Sequence, residues 1–259
     1  MGIVNVTPDS FSDGGLFLDA DAAVAHGREL LAEGADILDI GGESTRPGAD
    51  PVSADEETRR VVPVIEALAE DGARVSVDTT KAKVAKAALT AGASIVNDVS
   101  ALRFDPELAS VTAQAGATCV LMHMLGEPRT MQNDPRYDEV VSDVKRFLEE
   151  RLAYAVKQGI AEEQIWLDPG IGFGKTLENN LELIARLDEI VAIGRPVVFG
   201  ASRKSFLEKL TGRLVDERLA GTIAAIIIAH ERGARVFRVH DVAATVDALK
   251  LAAATVRRR

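Results

Sequence analysis

Short apolar runs and longer amphipathic stretches alternate along this chain, and the change from one to the other is marked in the same way each time. A helix-like stretch ends in a Gly-Ala pair, a short apolar run follows, and a polar residue stands where the run stops. Gly34-Ala35 precedes Ile37 to Ile40, Gly72-Ala73 precedes Val75 to Val77, and Gly92-Ala93 precedes Ser94 to Val96. Gly116-Ala117 precedes Thr118 to Met122, and Gly233-Ala234 precedes Val236 to Val239. Glycine just past a helix accepts the left-handed conformation that closes it, so each pair predicts a helix end feeding a strand. The repeat is a βα unit.

The apolar runs Ile3 to Val6, Ile165 to Leu167 and Val197 to Phe199 complete a set of eight predicted strands, each followed by a helical segment. Short strands without polar alternation, interleaved with helices, predict a parallel sheet buried on both faces. Eight such units predict a closed (β/α)8 TIM barrel, with a doubly wound open sheet as the alternative. Barrels of about 250 residues form one unit. The 259 residues are therefore expected to be a single domain, 1–259. A barrel places its active site at the C-terminal ends of its strands. The residues there are Asn5, Glu43, Asp78, Asn97 with Asp98, His123, Asp168, Ser202 to Lys204, and Arg238 with His240.

Composition refines this picture. With 47% hydrophobic but only 4% aromatic residues, the core is expected to be aliphatic. A net charge of -10 argues against nucleic acid and anionic membranes as partners, since an acidic surface repels polyanions. Against that background Arg46, Arg203, Lys204, Arg238 and His240 all fall at strand ends, which predicts a positive patch aimed into one mouth. The lone Cys119 lies inside an apolar strand, so no disulfide framework exists and a reducing, cytoplasmic setting is expected. Met1 to Asn5 lack the basic and apolar regions of a signal peptide. The stretch Leu219 to Ala229 is too short for a bilayer, which needs about 20 residues, yet it is apolar on nearly every face. It is expected to be buried on more than one side, either by the barrel plus neighbouring helices or by a second subunit, and a homodimer is the expected state. Arg257-Arg258-Arg259 complements a helix C-terminus.

The segment from Asp168 to Thr176 ends in Gly174-Lys175-Thr176, like a phosphate-binding loop, but Pro169 stands where that motif needs its first glycine. An acidic strand end followed by a glycine-rich turn is what remains. The histidines lack the spacing of a zinc site, and no Ser, His, Asp order stands out. Hydrolysis at the paired carboxylates Asp78 and Asp168 would leave the basic cluster unexplained. The first and second βα loops, Asn5 to Gly15 and Gly41 to Gly48, are long, polar and bounded by glycine and proline, and are expected to form a mobile cover.

These loops, together with Ser76-Val-Asp-Thr79, Asn97-Asp-Val99, Leu121-Met-His-Met124, Leu167 to Lys175, Ser202-Arg-Lys-Ser205 and Arg238-Val-His-Asp-Val242, closely resemble dihydropteroate synthase. The ordered match runs from Gly2 to about Ala253. Family members usually carry a short segment before the first strand, and its absence here is expected to leave the barrel bottom less covered. The resemblance implies condensation of 6-hydroxymethyl-7,8-dihydropterin pyrophosphate with p-aminobenzoate, releasing pyrophosphate and forming 7,8-dihydropteroate for folate synthesis. It implies pterin contacts from Asp78, Asn97, Asp168, Phe173, Lys204 and Arg238, with Asp78, Lys204 and Arg238 catalytic. Pyrophosphate would meet Asn5, Thr45, Arg46, Arg238 and His240, with Asn5 also a ligand of Mg²⁺. The p-aminobenzoate site would use Phe11, Asp13, Thr45, Arg46, Pro47, Ser202 and Lys204, and sulfonamides would compete there. A catalytically silent pterin-binding paralogue and a pterin-dependent methyltransferase are the alternatives.

Overall fold

The computed structural model describes residues 1–7, 16–44 and 50–256. In chain order its elements are β1 (Gly2–Asn5), α1 (Leu16–Ala32), β2 (Leu38–Gly41), α2 (Ala54–Glu70), β3 (Val75–Asp78), α3 (Ala82–Thr90), β4 (Ile95–Asp98), α4 (Leu108–Gln114) and β5 (Thr118–Met122). They continue as α5 (Val140–Lys157), β6 (Ile165–Asp168), α6 (Leu177–Ala185), α7 (Leu187–Val191), β7 (Val198–Phe199), α8 (Ser205–Thr211), α9 (Leu219–Glu231), β8 (Val236–Phe237) and α10 (Val242–Val256). Phe11, Asp13, Thr45, Arg46, Pro47 and Arg257 to Arg259 lie outside the described residues.

Strands β1 to β6 pair in sequence order as one parallel sheet, and β7 pairs with β8. Parallel bridges between Leu167 and Val197 and between Gly2 and Val239 join the two groups into a closed cylinder. Leu167 donates its backbone N–H to the Pro196 carbonyl at 2.9 Å, and Ile3 donates to Val239 at 3.1 Å. An open wound sheet would keep two free edges; the barrel is the observed fold.

The Gly-Ala punctuation has its expected physical basis. Gly34, Gly72, Gly92, Gly116 and Gly233 all have positive φ. At α2 the Gly72 N–H reaches the Ala69 carbonyl at 2.9 Å and the Ala73 N–H reaches Leu68 at 3.0 Å, the paired bonds of a Schellman end. Gly159 closes α5 in the same way, with Ile160 bonding Ala155 at 3.2 Å. That repeat carries isoleucine after its glycine, because the position asks for an apolar contact and alanine is only one way to make it.

Strand alternation then builds two layers. Leu38, Ile40, Val75, Val77, Val96, Cys119, Leu121, Leu167, Val197 and Phe199 belong to the large core shared with the helices. The intervening residues face the barrel axis, where Met1, Ile37, Ile95, Val120 and Val198 pack with Trp166 and Val236 as a plug. Each fully buried aliphatic side chain of this size contributes about 1.5–3 kcal/mol. Two residues further along the same strands, on the same face, stand Asp39, Asn97, Asp168 and Arg238. A polar floor thus sits directly on an apolar plug.

Helix α9 buries Thr222, Ala225, Ile226 and Ala229, while Leu219 and Ile228 stay exposed. Leu210, Leu214, Val215 and Leu251 are exposed on or next to the adjoining α8 and α10. Among the described residues no helix is long and apolar enough to cross a membrane.

Candidate active site

The floor of the mouth is organised by Arg238, which follows β8 and crosses to Asp39 within β2 and Asp78 at the end of β3. Its Nε donates to Asp39 Oδ2 at 2.6 Å, and its Nη2 donates to Asp78 Oδ2 at 2.8 Å. Asn97, paired in register with Asp78, donates from Nδ2 to the same Asp39 oxygen at 3.1 Å. Asp39 is fully buried, and its Oδ1 has no hydrogen-bond partner among the described residues. Burial pushes the Asp78 carboxyl up to about 7, against the attraction of Arg238 and with the help of its acidic neighbours Asp39, Glu57 and Asp98. Burial also opposes the charge on Arg238, but Asp39 and Asp78 outweigh it and hold the guanidinium protonated.

Asp168, at the end of β6, is buried and accepts the Gly170 N–H at 2.7 Å. Burial raises its pKa while Lys204 pulls the other way. The same burial lowers the Lys204 ammonium to about 8, opposed mainly by Asp168. Lys204 donates to the Ile171 carbonyl and lies 4.6 Å from the centroid of the Phe173 ring, a cation–π contact. Val99, Met122, Met124 and Met131 pack around Phe173 and give this side an apolar wall. Ser202 Oγ lies 2.9 Å from His240 Nδ1 and accepts the His240 backbone N–H at 3.1 Å. A flat ligand with N–H donors on one edge and a carbonyl on another would find acids, a cation and an apolar face here.

The sequence-predicted residues Asp78, Asn97, Asp168, Phe173, Ser202, Lys204, Arg238 and His240 therefore gather at one end of the barrel, where β1 also ends at Asn5. Arg203 departs from the positive patch expected of it. Its φ of 58° turns it aside, and its Nε and Nη2 donate to Asp241 at 3.0 and 2.6 Å. Glu43 has a supporting place: Lys81 donates to both Glu43 and the fully buried Glu57, and Glu43 Oε1 accepts the Val52 N–H at 2.8 Å. Asp39 was missed by pattern reading. An aspartate inside the otherwise apolar run Ile37 to Ile40 was the available signal, because a buried carboxylate needs a partner. Among the described residues no group of three or more His, Cys, Asp or Glu side chains could hold a metal ion.

The sequence matches the pterin binding enzyme family over residues 1–240. It is 46% identical to dihydropteroate synthase of Escherichia coli over 257 residues, which covers 99% of this chain and 91% of that protein. The chain belongs to the dihydropteroate synthase family. It is also 49% identical, over 98% of its length, to a probable bifunctional folylpolyglutamate synthase/dihydropteroate synthase of Haloferax volcanii, and spans 30% of that longer protein. Two solved dihydropteroate synthases superimpose closely. The Yersinia pestis enzyme, in a sulfonamide drug complex, matches with a TM-score of 0.94 at 45% identity, covering 99% of this chain and 94% of that one. The Xanthomonas albilineans enzyme with 7,8-dihydropteroate matches at 0.89 and 49%, covering 98% and 92%.

Proposed function

We infer that this protein is a dihydropteroate synthase, joining 6-hydroxymethyl-7,8-dihydropterin pyrophosphate to p-aminobenzoate in folate synthesis. The observation that carries this reading is the set Asp39, Asp78, Asn97, Asp168 and Arg238 on the axis-facing side of the barrel, with Lys204 just beyond β7: Asp39, Asn97 and Asp168 are buried and the other three half-buried. Asp168 accepts paired N–H groups from the pterin edge and Asn97 completes that edge. Lys204 donates to the ring carbonyl and ring nitrogen, and Phe173 supplies an apolar face. Each of these groups, left without its partner in a dry site, would cost about 1–3 kcal/mol, so the pocket selects a ligand with that pattern.

Loss of pyrophosphate leaves a cation delocalised into the dihydropterin, and Asp78 stabilises it electrostatically from below. Arg238, His240 and Asn5, with Thr45 and Arg46, meet the charge of the leaving group. The arylamine of p-aminobenzoate is neutral and nucleophilic near pH 7, so attack needs no strong base. Phe11, Asp13, Thr45, Arg46, Pro47, Ser202 and Lys204 form its site, completed once pyrophosphate is bound. A single amide oxygen at Asn5 fits Mg²⁺ held mainly by phosphate oxygens and water, since magnesium takes few protein ligands in such sites. When bound it neutralises leaving-group charge. The names of the relatives favour the synthase over the methyltransferase reading, and every expected acid and cation within the described residues is present, which disfavours a silent paralogue.

The test is competition. A sulfonamide should raise the KM for p-aminobenzoate without lowering kcat, and Lys204→Ala should lose pterin binding; normal turnover untouched by sulfonamide would reject the sulfonamide-competing p-aminobenzoate site, and pterin binding with no turnover would reject the synthase reading.

Residues 1–259 act as one cytoplasmic domain on this proposal, in keeping with a single buried cysteine. The exposed Leu210, Leu214, Val215, Leu219, Ile228 and Leu251 support a homodimer through α8 to α10. Sedimentation at micromolar concentration should show a dimer; a monomer would remove that part.

A further inference from the structure

Lys175 has no part in the chemistry above, although it closes the glycine-rich turn that carries Ile171 and Phe173. It is 2% exposed, so its ammonium cannot reach a phosphate in the mouth. Instead the side chain folds back inside the turn. Its Nζ contacts the Gly170 carbonyl at 2.9 Å, the Phe173 carbonyl at 3.0 Å and His123 Nδ1 at 2.9 Å. Two carbonyl acceptors and an imidazole nitrogen, an acceptor in the Nε2–H tautomer, surround the Lys175 amine. The Gly170 carbonyl also accepts the Phe173 N–H at 3.0 Å, closing a tight turn in which Gly172 has φ 85°.

The atoms gripped by Lys175 are directly linked to those that face the pterin pocket. Gly170 gives its N–H to Asp168 and its carbonyl to Lys175, so one residue is clamped from both sides. The next carbonyl, of Ile171, receives Lys204, and the Phe173 ring lies against that same ammonium. Outside the turn, Asn180 accepts the Gly172 N–H at 2.7 Å and Tyr137 donates to the Gly174 carbonyl at 2.7 Å. Those bonds fix the rim of the turn, whereas Lys175 is the group that fills its centre.

We propose that Lys175, seated on His123, is a positioning residue for pterin recognition: it fixes the 170–173 backbone so that Lys204 and the Phe173 ring meet the substrate beside Asp168. This rests on the pterin synthase reading. An isosteric apolar side chain would leave the Phe173 carbonyl and an imidazole nitrogen buried without their partner and the Gly170 carbonyl with only the Phe173 N–H, and the turn would relax towards water or rearrange. The damage would fall on the half of the site that holds the pterin.

The experiment compares wild type with Lys175→Met, His123→Ala and His123→Asn in steady-state turnover and in equilibrium binding of the pterin pyrophosphate. Lys175→Met should weaken pterin binding about tenfold or more, the ratio set by one unmade buried bond, with the KM for p-aminobenzoate at saturating pterin nearly unchanged. A purely structural role would lower the folded, active fraction and leave both KM values where they were. If Lys175→Met does not fold, the histidine pair decides. His123→Ala should raise the pterin KM several-fold, and His123→Asn, whose side-chain oxygen stands near the Nδ1 position, should restore it. Unchanged pterin affinity in a folded Lys175→Met, or equal behaviour of the two His123 variants when only they fold, overturns the proposal. An idle wild type would instead reject the synthase reading, and this inference with it.

Discussion

Replacing Asp78 by asparagine should make the protein more stable at pH 8 while removing most of its turnover. The carboxyl rises from an ordinary 3.8 to about 7, chiefly because it is buried, and only in part is this offset by Arg238. A group whose folded pKa lies above its unfolded one binds its proton more tightly in the native state, so stability falls as pH rises between the two values. At about 1.36 kcal/mol per unit, ionised Asp78 costs the fold on the order of 4 kcal/mol above pH 7. Asparagine avoids that cost. Its oxygen can still accept from Arg238, but one new N–H needs a partner, a loss of about 1–2 kcal/mol. The net gain at pH 8 is therefore about 2–3 kcal/mol, shrinking towards zero or reversing near pH 4, where the wild-type carboxyl is protonated in the native state and half-protonated when unfolded. Urea unfolding of both proteins at pH 4, 6 and 8 measures this, and turnover of Asp78→Asn should fall about 10²–10³-fold. An asparagine variant less stable than wild type at pH 8, or a difference that does not change with pH, would refute the reasoning.

Two further outcomes follow from burial and backbone geometry. At Gly170, with φ 67°, an added Cβ would stand 1.8 Å from the His123 carbonyl oxygen, so Gly170→Ala should cost more than about 4 kcal/mol. A thermal melt would show it, and an unshifted midpoint would contradict it. Cys119 is fully buried, and burial pushes its thiol well above the ordinary range, so a thiol reagent should label it only after denaturant is added. Rapid labelling in native buffer would show that β5 opens.

The barrel was legible because its signals are local. A positive-φ glycine followed by an apolar contact closes a helix, and Gly34, Gly72, Gly92, Gly116 and Gly233 each announce the next strand. Strands β7 and β8 are shorter than the apolar runs that predict them, since single bridges at Val197 and Val239 take over where the ladder stops. The candidate site was legible where polar residues end strands, as at Asp78, Asn97, Asp168 and Arg238, which the barrel brings to one mouth. It was not legible where tertiary geometry chooses the partner. Arg203 and Lys204 are neighbours in sequence, yet one backbone angle sends Arg203 to Asp241 and leaves Lys204 beside Asp168. Asp39 sits inside an apolar run, and its value comes from Arg238, which lies at the far end of the chain. Lys175 ends a segment that resembles a phosphate loop, and only the left-handed glycines 170, 172 and 174 show that its side chain turns inward.

The coupling of two half-reactions tests the central claim most directly. Pyrophosphate release from 6-hydroxymethyl-7,8-dihydropterin pyrophosphate would be followed with Mg²⁺, with and without p-aminobenzoate, beside chromatography for dihydropteroate. A synthase should form dihydropteroate in step with the pyrophosphate released when p-aminobenzoate is present. Tight pterin binding with no dihydropteroate under any condition would contradict the claim and leave a protein that only binds pterin.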